Sequence, residues 1–158
     1  MLARARTIGG REITFEILDR RITKVQDRAP DDLVRDERRR PRTSSPVTWG
    51  HGTAGLNAAL AEAKASGRKI LLDFEAVWCG PCHTMDQWIW NDEEVAREIT
   101  AGFVAVKIDV DTEKGLVKRF NTTGYPTMII LDSSGKETWR KADYQSSKQM
   151  LEALRTGK

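Results

Sequence analysis

The stretch ILLDFEAVWCGPCH, residues 70–83, decides how the rest of the chain is read. Its first half is an apolar run of strand length, from Ile70 to Ala76. Its second half places two cysteines, Cys79 and Cys82, three positions apart and puts a proline between them. Two chemistries use this spacing. Cys-x-x-Cys is a redox dithiol, and Cys-x-x-Cys-His, completed here by His83, is a haem attachment site. The surroundings favour the dithiol. A strand running straight into a helix leaves no haem-sized cavity, whereas the start of a helix suits a thiolate, because unpaired N–H groups and the helix dipole stabilise the anion. Pro81 costs no hydrogen bond in a first helical turn and presets its φ. Gly80 permits the tight entry. His83 then reads as a surface residue beside the pair.

Bulk composition narrows the function classes. The chain has 158 residues, 39% of them hydrophobic and 31% charged, enough for one domain with a real core plus an appendage. Cys79 and Cys82 are its 2 cysteines, so no second pair exists to staple a secreted scaffold. With 2 histidines besides, one of them the distant and unremarkable His51, a four-ligand structural zinc site is a poor fit, and the expected metal is none. No apolar run is long enough to span a membrane. MLARARTIGGREITFE lacks the continuous apolar core of a secretory signal, so the expected location is cytoplasmic, or exported only if a leader once preceded it.

Charge is unevenly spread. Residues 1–46 hold 12 Lys/Arg against 8 Asp/Glu, while residues 47–158 hold 14 against 15. The net +3 therefore belongs to the leading segment, and nucleic-acid binding is not expected of the main domain. Within the leader, GREITFEILDRRITKV (10–25) alternates as a short hairpin would, turning at Asp19-Arg20. Residues 26–46 are charge-dense with Pro and Ser and read as a linker. RDERRRPR is either a solvated tether or a patch for an acidic partner. The expected division is an extension over 1–46 and a domain over 47–158.

Beyond Trp49 the periodicity sharpens. GLNAALAEAKASG (55–67) predicts a helix with Leu56, Leu60 and Ala63 on one face and Gly67 as its stop. Pro81 opens a helix carrying Cys82, Met85, Trp88 and Ile89, and Asn91 with Glu94 forms a capping-box-like restart. FVAVKIDVD (103–111) alternates as a strand, KGLVKRFN (114–121) is a short helix, and TMIIL (127–131) a buried strand. DSSGKE turns into TWRK, and SSKQMLEALR (146–155) is a Ser-initiated helix. The pattern is α/β, a sheet with helices on both faces.

Residues 70–83 together with GYPT (124–127) resemble the thioredoxin family, over about residues 50–156. The segment HTMDQWIWNDEEVAREI after the motif is more similar to the thiol:disulfide interchange type. The resemblance implies a thioredoxin-like fold, a central mixed sheet with helices on both faces, preceded here by the basic extension. It implies a protein-disulfide reductase or interchange enzyme working through a mixed disulfide, with Cys79 the exposed attacking thiolate and Cys82 the resolving thiol. It also implies protein disulfide substrates, an upstream thiol or flavoprotein reductase, a monomer, no membrane partner, and no cofactor beyond the redox-active disulfide. Asp73 matches the family's buried acid, the alternative being a strand-edge carboxylate facing solvent. Lys107 matches the lysine near that acid, the alternative being an exposed position of an alternating strand. Tyr125-Pro126 is the substrate-facing cis-proline loop, and Trp78 supports the turn, while Trp88, Trp90 and Trp139 are expected to pack. Glu75 departs from the family, placing a second carboxylate two residues after Asp73 and on the same face. A competing reading is a non-catalytic module of this fold that docks a partner through the basic arm, but such a scaffold has no need of two thiols at this spacing.

Overall fold

The computed structural model describes the backbone of residues 2–8, 11–18 and 21–28, and residues 46–157 in full. Contacts divide the chain into two compact units, Met1–Arg40 and Pro41–Lys158. In the first, β1 (Leu2–Ile8), β2 (Arg11–Leu18) and β3 (Arg21–Arg28) form an antiparallel meander in the order β1-β2-β3. Thr14 stands opposite Ala5 on one side and Gln26 on the other. β1 has no counterpart in the sequence reading, where only the 10–25 pattern stood out. The Asp19-Arg20 turn lies outside the described residues, and so do residues 29–45 of the linker read over 26–46; its first residues, 26–28, are instead the end of β3.

The second unit is a five-stranded mixed sheet, ordered β4-β6-β5-β7-β8. Its elements are β4 (Trp49–His51), α1 (Gly52–Ser66), β5 (Lys69–Glu75), α2 (Gly80–Thr84) continuing into a π-helical turn (Met85–Ile89), α3 (Glu93–Gly102), β6 (Phe103–Asp109), α4 (Lys114–Phe120), β7 (Thr127–Leu131), β8 (Glu137–Ala142) and α5 (Ser147–Thr156). β4 and β5 run parallel to β6, and β7 returns antiparallel to β5. Gly67 closes α1 at φ 76°, donating its N–H to Ala63 O at 2.8 Å, which is the left-handed cap its position predicts. A methyl on Gly55 would sit 2.8 Å from the Gly50 carbonyl carbon, so its bare backbone is what lets α1 press on β4.

β5 is central and separates two cores by simple alternation. Ile70, Leu72 and Phe74 pack with α1 and α4, in the cluster that also holds Cys79 and Cys82. Leu71 packs with Met128 and Ile130 against α3, α5 and the π-helical turn. Each such side chain, fully buried, contributes about 1.5–3 kcal/mol. β7 is buried at all five positions, as TMIIL suggests, and Ser146 with Gln149 forms a complete capping box on α5.

Three local readings are corrected. His51 is not in a loop: it ends β4, which is too short to show a period. The helix after Pro81 does not stay α-helical, because the Trp90 N–H bonds to Met85 O five residues back, at 3.0 Å. The extra residue in that turn rotates Trp90 inward, to 1% exposure, and leaves Trp88 38% exposed instead of packed. Asp92, not Asn91, caps α3, accepting from the N–H groups of Glu94 and Val95. Asn91 instead closes the π-helical turn by donating to Asp86 O and Gln87 O.

Candidate functional site

The turn after β5 delivers Cys79 as the N-cap of α2, with Gly80 and Pro81 in the first turn. The two cysteines form a disulfide with an S–S distance of 2.07 Å and a Cα–Cα distance of 5.3 Å. Cys79 Sγ accepts the Cys82 backbone N–H at 3.2 Å. The same donor, aimed at a free Cys79, would stabilise its thiolate. His83 is occupied by the turn itself: its Nε2 lies 2.6 Å from Val77 O and donates to it, since a carbonyl only accepts.

The expected difference in exposure between the thiols is not found. Cys79 is 4% exposed and Cys82 3%, because both sulfurs belong to the apolar cluster that Tyr125 packs against. What is exposed is the rim: Val77 at 81% and Trp78 at 65%. Trp78 is held in place, its indole N–H donating to Asp111 Oδ2 at 2.8 Å and its ring meeting Tyr125 edge-on at 6.1 Å between centroids. Tyr125 donates its hydroxyl to Thr122 O, and the Tyr125-Pro126 peptide is cis, placed at the entry to β7.

On the other face of β5 lies a charged cluster. Asp73 is buried rather than solvent-facing, and it stands opposite Lys107 in the parallel register of β5 and β6. Lys107 is not a surface position either. Its Nζ lies 3.3 Å from Asp73 Oδ2 and 2.5 Å from Glu75 Oε2, and it also pairs with Asp86 Oδ1. Asp73, Glu75 and Asp86 bring their oxygens within 4.8 Å of one another, the grouping of a cation site. Here the cation at their convergence is the Lys107 ammonium. Its ring neighbour is Trp49, with Nζ 5.0 Å from the centroid.

Electrostatics follow from this packing. Burial pushes the Asp73 carboxyl up to about 6; attraction to Lys107 opposes that rise, and repulsion from Glu75 and Asp86 adds to it. Burial likewise raises Glu75 against its bond to Lys107. Burial opposes the Lys107 charge, but Asp73, Asp86 and Glu75 together outweigh it and raise its affinity for the proton. Asp73 and Glu75 do share a face, as their spacing demands. Asp86, Trp90 and Asp111 were missed as site residues. Only Asp86 carried a local signal, an acid one helical turn beyond Cys82. Trp90 donates its indole N–H to Asp73 Oδ2 at 3.0 Å, a contact the π-helical turn creates.

Comparison with known proteins places these features in context. Residues 52–133 match the family described as thioredoxin-like. The chain is 36% identical over 86 residues to the thiol:disulfide interchange protein DsbD of Yersinia enterocolitica, covering 52% of this chain and 14% of that protein. It is 32% identical over 100 residues to DsbD 1 of Pseudomonas aeruginosa, covering 60% and 17%. The chain thus spans under a fifth of the length of these relatives. Among solved structures it is similar to a thioredoxin from Thermus thermophilus, with TM-score 0.62 and 27% identity over 71% of this chain and 87% of that one. A disulfide isomerase from Xylella fastidiosa shares the fold at TM-score 0.58 and 24% identity, covering 65% and 88%.

Proposed function

This chain belongs to the thioredoxin-like family, and from that premise we propose that it is a thiol:disulfide oxidoreductase acting on protein disulfides. The observation that carries this reading is the Cys79–Cys82 disulfide at the start of α2, with a backbone N–H already aimed at Cys79 Sγ. A scaffold module would require neither the pair nor the donor. In the reduced form, Cys79 attacks a substrate disulfide, one substrate sulfur leaves as a thiolate, and a mixed disulfide forms. Cys82 then loses its proton and attacks the Cys79 sulfur, which restores the internal disulfide and releases the second substrate sulfur. The two cysteines carry both electrons, so the exchange requires no bound cofactor, and an upstream thiol or flavoprotein reductase would restore the dithiol.

The remaining roles are supported by placement. Asp73, buried with a carboxyl that titrates at about 6, is suited to take the Cys82 proton near neutral pH. Trp78 and Tyr125, packed edge-on beside the sulfurs, and Pro126 form the surface on which a substrate segment would lie. Glu75 and Lys107 adjust Asp73 from the far side. All these residues fall within 47–158, and residues 1–46 are assigned as an extension. No helix among the described residues is long and apolar enough to cross a membrane. The interchange relatives favour an oxidising compartment such as a bacterial periplasm over the cytoplasm, because protein disulfides persist there.

The test is trapping. Cys82→Ser retains the attacking thiol without a resolver and should accumulate covalent adducts with disulfide-bonded protein, whereas Cys79→Ser should form none. Equal trapping by both variants would overturn the assignment, and wild type that reduces no insulin with dithiothreitol would favour the scaffold.

A further inference from the structure

The two oxygens of Asp73 are not equivalent. Oδ2 receives the Trp90 indole N–H at 3.0 Å and lies 3.3 Å from Lys107 Nζ, while Oδ1 is buried with no hydrogen-bond partner among the described residues. The two donors differ in kind. Lys107 is a rotatable ammonium divided among three carboxylates, so by itself it does not dictate the rotation of any one of them. An indole N–H is a single donor fixed in the ring plane. Trp90 is 1% exposed and is braced by Trp49, ring centroids 5.4 Å apart at 63°, on the same Trp49 ring that Lys107 overlies.

We propose that Trp90 is a positioning residue for the exchange reaction: its indole N–H fixes the Asp73 carboxyl so that Oδ2 stays committed and Oδ1 alone handles the proton. The inference rests on the disulfide-exchange reading above. During resolution the Cys82 thiol releases its proton, Asp73 Oδ1 takes one up, the Cys82 sulfur bonds to the Cys79 sulfur, and the bond from Cys79 to substrate breaks. The departing substrate thiolate takes up a proton from solvent, and Asp73 returns its own proton to solvent. Holding Oδ2 with a donor also favours the ionised carboxylate, the form able to accept. The charged groups facing Asp73 are Lys107 from β6, with His51 of β4 beside it in register, Glu75 on its own strand and Asp86 from the π-helical turn; β7 places Met128 opposite.

Trp90→Phe removes the N–H and keeps a ring in place. The Asp73 carboxyl carbon, followed by NMR in the oxidised full chain, should titrate about one unit higher than in wild type, matching about a fivefold slower mixed-disulfide resolution at pH 6 and almost no change at pH 8.5. In an Asp73→Asn background the same substitution should leave the pH profile where it is, which a purely structural role for Trp90 would not require. Wild type supplies a test without mutation: the Trp90 indole N–H resonance should titrate with the Asp73 midpoint, and those of Trp88 and Trp139 should not. An Asp73 midpoint unmoved in Trp90→Phe, a flat Trp90 resonance, or an unshifted kinetic profile in an active Trp90→Phe enzyme overturns the inference. An inactive wild type would instead sink the exchange reading, and this inference with it.

Discussion

The two faces of β5 solve different problems with the same strand. Ile70, Leu72 and Phe74 enter a cluster that is apolar apart from the sulfurs it carries. Leu71, Asp73 and Glu75 point the other way, where an apolar core gives way toward the C-terminal end of the strand to three carboxylates around one ammonium. One face thus holds the redox pair by packing, which is insensitive to pH. The other face holds charge, and its stability and reactivity move with protons. The division shows why a strand ending in Asp-Phe-Glu is tolerated: the acids share a partner instead of facing the sulfur cluster alone.

Breaking each face in turn should give the largest effects. Leu72→Ala empties a fully buried site on the apolar face, and a loss of about 2–5 kcal/mol in urea unfolding, nearly constant between pH 5 and 8, is expected. Lys107→Met leaves three carboxylates without their cation; the expected loss is about 3–5 kcal/mol at pH 7.5. That loss should shrink as the pH falls, because protonating Asp73 removes the most deeply buried of the three uncompensated charges. Equal pH dependence in the two variants would erase the distinction between the faces.

The apolar face was far more legible in the sequence than the charged one, and the reason is locality. Trp-Cys-Gly-Pro-Cys, the apolar run around Leu72 and the Gly67 stop are each decided within a few residues. β4 is three residues long and exists through its pairing with β6, so no period announced it. Trp90 reaches the site because the backbone widens into a π-helical turn at Met85–Ile89, which a 3.6-residue pattern does not encode. The two cysteines likewise share a cluster that Tyr125 joins from a distant loop. The nature of the buried acid was readable; which donors hold it was not.

Asp73→Asn sharpens the comparison with a smaller effect of definite sign. Burial raises Asp73 from an ordinary 3.8 to about 6, so between those values the native state binds a proton that the unfolded chain does not. Native stability from this group is therefore complete below about 3.8 and is lost as the pH rises through about 6. Asparagine does not titrate. Relative to wild type, the variant should gain about 2 kcal/mol on going from pH 4.5 to pH 7.5, read as the difference between two urea midpoints. It should also slow mixed-disulfide resolution, separating the group's cost to the fold from its use in the reaction. A pH-independent difference would mean that Asp73 titrates as an exposed acid does.

Glu75→Gln should have the smallest effect, and its direction is the informative part. Glu75 repels the Asp73 charge, and it also competes with Asp73 for Lys107, which lies 2.5 Å from Glu75 Oε2 and 3.3 Å from Asp73 Oδ2. Both actions push the Asp73 carboxyl up. Removing the Glu75 charge should lower the Asp73 midpoint, by about half a unit given that Glu75 is partly exposed and solvent screens part of its field. The resolution profile then moves to lower pH, opposite to the shift expected for Trp90→Phe. A second consequence reaches the sulfur cluster. One fewer anion near the turn favours the Cys79 thiolate, so alkylation of the reduced protein near neutral pH should be slightly faster. Lys107 already offsets most of the Glu75 charge, which holds that gain to about twofold or less. The fitted midpoints describe the coupled cluster, so the comparison is between whole profiles. A shift upward, in the same sense as Trp90→Phe, would show that Glu75 anchors Lys107 on Asp73 instead of drawing it away.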